Sequence, residues 1–493
     1  MKSIVLLVLT LTLSLIAATT AHSKDPGLRI AVSSKGLDYV QKAGIFILEG
    51  LLGNTVLPDL SGKVKLDYKI GHVTLHWTVS KLHIDTLSIP VSSLTPSQSG
   101  LTFKASQISV EVKGHIHTSN SHHDIIHVSA STDMTVSLSN VSFDVGVLLT
   151  RDSKGHPNVS TTECSASVSS VHHKFHGGSK WVYKTVDHIE DFDHMLSKNF
   201  QPAFCKGVKN AINHHGNQML KNIPLTVPIN KLVEVNYALT DTPLYSDQYI
   251  AIDYSGEFQL ISNPQDPPFS PPFLPPPSNE KDHEMMSIWF TDYIANTAGL
   301  VYHESGILSY NITPDSIPEH SPLTLNTSSF RLILPALFKA YPNMGIILSI
   351  KTTKPPHFQI DSKAVSLLLA SEVNVFVKSS TVAPLLAAKL GLTGSLTGDL
   401  WMEHHNGKVV MCGNATSLEF EFNVISSAVG TLDVKGLNQV MTKLGEPILM
   451  EFINLHGGSG LEIPMADGIE LTKSKVMLGE GYLKIVTDIK YNV

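Results

Sequence analysis

Residues 263–277 read Asn-Pro-Gln-Asp-Pro-Pro-Phe-Ser-Pro-Pro-Phe-Leu-Pro-Pro-Pro. Proline has no amide hydrogen and a fixed φ, so this stretch continues neither a helix nor a central strand. It favours an extended, semi-rigid connection. Its place near the middle of a 493-residue chain divides the sequence into two parts of similar size. The other use of such a stretch is as a ligand for another protein's groove.

Outward from this linker, both sides show the same order of elements. On the first side, Leu37, Val40, Ile45, Leu48 and Leu52 recur at helical spacing. Alternating segments follow, among them Val73-Leu75-Trp77-Val79 and Ile108-Val110-Val112. A period of two means half-buried strands of an antiparallel sheet. A second helical pattern then runs through Ile189, Phe192, Leu196, Phe200, Phe204, Val208 and Ile212, ending in Ile223-Pro224-Leu225. Pro202 inside it predicts a kink or an interruption. On the second side the order is a helix over 288–300, strands at Phe358-Ile360 and Leu418-Phe420-Phe422, a helical stretch over 432–455, and Ile463-Pro464-Met465. This is an internal duplication visible in layout more than in identity. The long helices are apolar over more of their circumference than one packing face needs, so they are either plain core or the wall of a lipid-filled slot.

Composition narrows the function. With 42% hydrophobic and 16% charged residues, the chain is neither mainly disordered nor a coiled coil. A net charge of −7 excludes a nucleic-acid binder working through bulk positive charge. The residue type that stands out is histidine, 24 against 36 Lys plus Arg.

A basic start, an apolar run over Ile4–Ile16 and small residues to Ala21 describe a secretory signal peptide over residues 1–21. An uncleaved anchor is the alternative, although the run is shorter than a bilayer requires. The secretory route predicts oxidised cysteines, with Cys164 and Cys205 the obvious pair. Cys412 is left over, either buried as a small hydrophobe or free to react. Asn140, Asn158, Asn311, Asn326 and Asn414 each head a glycosylation sequon.

Several phrases resemble one family. Asp25-Pro26-Gly27 followed by Lys35-Gly36-Leu37-Asp38-Tyr39 is similar to the mature start of the bactericidal/permeability-increasing and lipopolysaccharide-binding proteins. Asp292-Tyr293, the run Asn296–Glu304 and the run Ile312–Pro318 resemble the opening of that family's second barrel, and Tyr341-Pro342-Asn343-Met344 is another shared phrase. The step of 41 residues from Cys164 to Cys205 matches the family's single disulfide. The resemblance spans essentially the whole mature chain. It implies an α+β fold, an elongated boomerang of two barrels, each a twisted antiparallel sheet wrapped on a long helix, joined by a central sheet. The divisions are then residues 24–262 for the first barrel with half of the central sheet, 263–280 for the linker, and 281–493 for the second barrel with the other half. The resemblance also implies one apolar pocket per half holding phospholipid as a structural ligand, with no other cofactor. The partners it implies are lipopolysaccharide, phospholipid and the bacterial outer membrane surface. The protein is expected to be secreted and monomeric.

The residues name no enzyme. The G-x-S-x-G elbow, H-E-x-x-H, the phosphate-cradling loop and the dinucleotide fingerprint are all missing from the sequence. Candidate pocket residues are Leu37, Val40, Ile45, Phe46, Phe192, Leu196, Phe200 and Phe204 in the first half and Phe290, Tyr293 and Ile294 in the second. Relatives that recognise endotoxin gather Lys and Arg at the tip of the first barrel, where charge-assisted contacts meet phosphate. The matching loop here, residues 111–127, keeps Lys113 and substitutes His115, His117, His122, His123 and His127. Lys63, Lys65 and Lys69 fall in a neighbouring tip segment, and Lys174 and Lys180 in a third. From Lys24 to Ser262 there are 20 Lys plus Arg against 21 Asp plus Glu, together with 16 of the histidines. Histidine titrates near pH 6.5, so phosphate recognition is expected to strengthen in mild acid. Zinc or copper on His122-His123, on His172-His173 with His176, or on His214-His215 is the other reading, and solvated loop histidines the third. Sequence pairs do not supply convergent geometry, so no metal site is assigned.

Overall fold

The computed structural model describes residues 25–53, 56–68, 71–120, 127–189, 191–277, 284–316, 324–378, 383–405, 408–462 and 469–491. The signal segment over 1–21 lies outside the described residues, as do Lys69, His122 and His123.

The chain is α+β, an elongated boomerang of two barrels joined by a central sheet. The first barrel is one curled antiparallel sheet, in the order Leu60–Tyr68, Gly71–Ser88, Gly100–Asn120, Ser129–Arg151 and Pro157–Phe175, with Val91–Ser97 on the third of these. Alternation puts Ile108, Val110, Val112 and Ile116 inside on one strand and Met134, Val136 and Leu138 inside on the next. The long strands bend where the register slips, between Ser80 and His83 and between Ala105 and Ile108. At those slips Lys81 and Gln107 adopt positive φ, which raises local twist and lets the sheet curl.

Into this curl packs the helix Phe192–Asn210, burying Phe192, Leu196, Phe200, Phe204 and Val208. Asp191 caps it, its carboxylate accepting from the His194 amide, so Ile189 lies before the helix rather than in it. Pro202 does not interrupt it. The irregularity comes later, where Ala211–Gly216 widens to a π-helical turn before Asn217–Lys221. The disulfide Cys164–Cys205 pins the helix to the strand Pro157–Phe175.

The second barrel repeats the plan. Its sheet runs Ser309–Ile312, Gly345–Thr352, Val365–Lys378, Leu385–His405, Lys408–Ser427 and Leu461–Glu462. Val434–Val440, a π-helical turn at Met441–Gly445, and Glu446–Gly458 form its helical side.

Between the barrels, Leu28–Ser33 from the first half pairs with Met286–Thr291 from the second, matching Ile30 with Ile288. The expected helix over 288–300 is therefore divided. Its first residues form a central strand and the helix runs Asp292–Glu304. Ile288 and Trp289 are enclosed by pairing on both sides, a tertiary effect that a short apolar run cannot reveal. The proline-rich stretch lies against this sheet. The Arg29 guanidinium grips Asp253 at 2.6 and 2.8 Å and donates to the Pro275 carbonyl at 2.9 Å.

Candidate functional site

A narrow apolar slot with a cavity volume of about 30 Å³ opens in the first barrel, between the long helix and the sheet. Leu196, Asn199, Phe200 and Ala203 form the helix side, and Val112, Val136 and Leu138 the floor. Leu57, Pro58, Leu60 and Leu82 complete the lining. Asn199 satisfies its amide on the Met195 carbonyl at 2.8 Å, which leaves the slot almost without polar demand. Behind it, Phe204 stacks on Phe200 at 5.4 Å and meets Phe143 at 5.1 Å.

Of the residues nominated from sequence, Leu196 and Phe200 line this slot, while Phe192 and Phe204 sit in the adjoining core. Ile45 packs on the same core, but Leu37 belongs to a separate cluster with Leu101 and Ile250. Val40 is exposed, and the Phe46 side chain lies outside what is described. In the second half, Phe290 stands in the central strand. Tyr293 is buried and donates to the Glu257 carboxylate at 2.7 Å. Burial, then Glu257, push its hydroxyl up from the ordinary tyrosine value. Ile294 packs in the central cluster with Leu28 and Ile288. The sequence reading missed the strand-side walls, Val112, Val136 and Leu138, although period-two alternation marks them as inward-facing.

The polar rim differs from the expected loop. Lys113, His115 and His117 lie along the strand Gly100–Asn120, because the alternating pattern continues to the hairpin end. Lys113 pairs with Asp85 at 2.8 Å, and His115 with Asp133 at 2.9 Å. The bond from His115 holds the Asp133 carboxyl below its usual range. His173 faces Asp193 at 2.6 Å and meets the edge of Phe192. His127 is exposed beyond the hairpin. Lys63, Lys65, Lys174 and Lys180 are exposed with no acidic partner at ion-pair distance among the described residues. Lys63 stands three residues along its strand from Leu60, about 10 Å away and on the opposite face.

Among the sequons, Asn140, Asn311 and Asn414 are exposed, and Asn158 and Asn326 half-buried. Cys412 is fully buried. Among the described residues no helix is long and apolar enough to cross a membrane.

Residues 36–223 match the LBP / BPI / CETP family, N-terminal domain, and residues 228–491 match its C-terminal domain. The chain is 27% identical over 473 residues to a bactericidal permeability-increasing protein of Sebastes schlegelii, covering 95% of this chain and 96% of that one. It is 27% identical over 391 residues to a lipopolysaccharide-binding protein of Homo sapiens, covering 78% and 79%. With a phospholipid transfer protein of Mus musculus it shares 23% identity over 484 residues, covering 96% and 91%. A crystal structure of lipopolysaccharide binding protein superposes with a TM-score of 0.56 at 22% identity, covering 95% of this chain and 99% of the other.

Proposed function

The chain belongs to the LBP / BPI / CETP family, and on that premise we propose that it is a secreted lipid-binding protein of innate defence that captures bacterial lipopolysaccharide and phospholipid without covalent chemistry. The family is one of lipid-binding and transfer proteins, not enzymes. One observation carries the reading: an almost wholly apolar slot is lined by Leu60, on a strand whose outer face bears Lys63 and Lys65, exposed and without an ion-pair partner among the described residues. Acyl chains suit such a slot, since little polar surface must be desolvated to admit them. Anionic headgroups suit the lysines, and the Gram-negative outer membrane surface presents both.

A second reading is a phospholipid carrier without antibacterial action. The near-equal acidic and basic counts of the first half favour it, as does the likeness to a phospholipid transfer protein.

Flotation of the purified mature protein with lipid A and with phosphatidylcholine vesicles, at about pH 7.5 and about pH 5.5, separates the two. Preference for lipid A, greater in acid, supports headgroup recognition. Equal binding to both vesicles at both pH values supports the carrier.

A further inference from the structure

Where the second barrel meets the central sheet, the hairpin formed by Leu385–His405 and Lys408–Ser427 brings Glu403, His405 and Cys412 onto one face. Glu403 and His405 are two residues apart on one strand, and Cys412 lies diagonally across, opposite Trp401. Their three donor atoms lie within 4.8 Å of one another. The Glu403 Oε2 is 3.3 Å from the His405 Nε2 and 3.6 Å from the Cys412 Sγ. Tetrahedral zinc with ordinary bond lengths sets ligand atoms apart by about 3.3 Å for oxygen and nitrogen and about 3.5 Å for oxygen and sulfur.

The histidine is already oriented. Its Nδ1 lies 3.1 Å from the Ser459 carbonyl, which only accepts, so Nδ1 carries the hydrogen. In the neutral ring, Nε2 then aims a lone pair at a carboxylate oxygen, another acceptor. Two lone pairs facing one point call for a cation between them, either a proton on the ring or a metal ion. A second ring nitrogen bonded to a backbone carbonyl is how metal-ligating histidines are held. Glycines close the site: at Gly460, whose φ is +76°, a Cβ would fall 2.5 Å from Val410 and 3.1 Å from the Cys412 sulfur.

We propose that Glu403, His405 and Cys412 form a zinc site with three protein ligands and a fourth position for water. The mixed oxygen, nitrogen and sulfur donor set suits zinc. On binding, the Cys412 thiol gives its proton to solvent, and one thiolate with one carboxylate neutralises the ion.

Cys164 and Cys205 are disulfide-bonded, so Cys412 is the chain's one free thiol. A metal–thiolate signal therefore reports this site alone, whatever the surface histidines bind. The test is titration of the full mature chain with Co2+ in buffer without reductant, read by sulfur-to-cobalt charge-transfer absorption. The expected result is a band saturating at one Co2+ per chain and abolished by Zn2+. It should vanish in Cys412→Ser and weaken in affinity about tenfold or more in His405→Ala and Glu403→Gln. The last two positions are partly exposed, so their replacement keeps the barrel packed. No charge-transfer band, or a band unchanged in both of those variants, overturns the proposal.

Discussion

The Lys35 ammonium lies 2.7 Å from the Asp488 carboxylate, joining the start of the helix Ser34–Gly53 to the strand Tyr482–Tyr491. Asp488 also accepts from the Met285 amide at 3.0 Å and faces Lys473 at 3.5 Å. One carboxylate thus ties three segments where the two halves meet.

Burial opposes ionisation of Asp488, but the bond from Lys35, the Met285 amide and the charge of Lys473 outweigh it, and its carboxyl is held below the ordinary range. A lowered native value means that the stabilisation is present above the ordinary carboxylate value of about 3.9 and is lost as pH falls through and below it. Asp488→Asn should lower stability at neutral pH by about 1 kcal/mol, the low end because Lys35 is half-exposed. Denaturant melts at neutral pH and in acid check this. The wild-type advantage should shrink in acid.

Tyr293 is a structural pin. Its hydroxyl is bonded to the buried Glu257, so Tyr293→Phe leaves that carboxylate short of a donor. The expected cost is about 1–3 kcal/mol, read by thermal or denaturant unfolding, with lipid binding unchanged below the transition.

Lysines on the first barrel should divide by their partners. Joint replacement of Lys63, Lys65, Lys174 and Lys180 by Ala should weaken binding to lipid A vesicles and flatten its salt dependence. Lys113→Ala alone should change it little, because that ammonium already serves Asp85. Flotation across a salt series measures both.

Much of this was legible in the sequence. Strong periodicity located the long helix through Phe200 and Phe204, and alternation located strands such as Ile108-Val110-Val112. Helical spacing marks Leu196 and Phe200, which line the slot, as residues of one apolar helix face. Other features depend on which strands meet. Ile288 reads equally well as helix or strand until Ile30 and Ile485 flank it. Asp85, which neutralises Lys113, is 28 residues away in sequence. The meeting of Glu403 and His405 with Cys412 rests on hairpin register, and the tautomer of His405 rests on Ser459, 54 residues further on. Pro202 shows the opposite case, a strong local breaker that the packed helix absorbs.

The most direct test concerns the slot itself. Ala203 lines it from the long helix, so Ala203→Leu should fill it while leaving the exposed lysines of Leu60–Tyr68 in place. Wild-type and variant protein would be incubated with phospholipid vesicles, re-isolated, and their bound lipid quantified by extraction and mass spectrometry. The account predicts phospholipid retained by the wild type and a marked loss in a variant that melts normally. Equal lipid on both proteins, or none on the wild type, would contradict it.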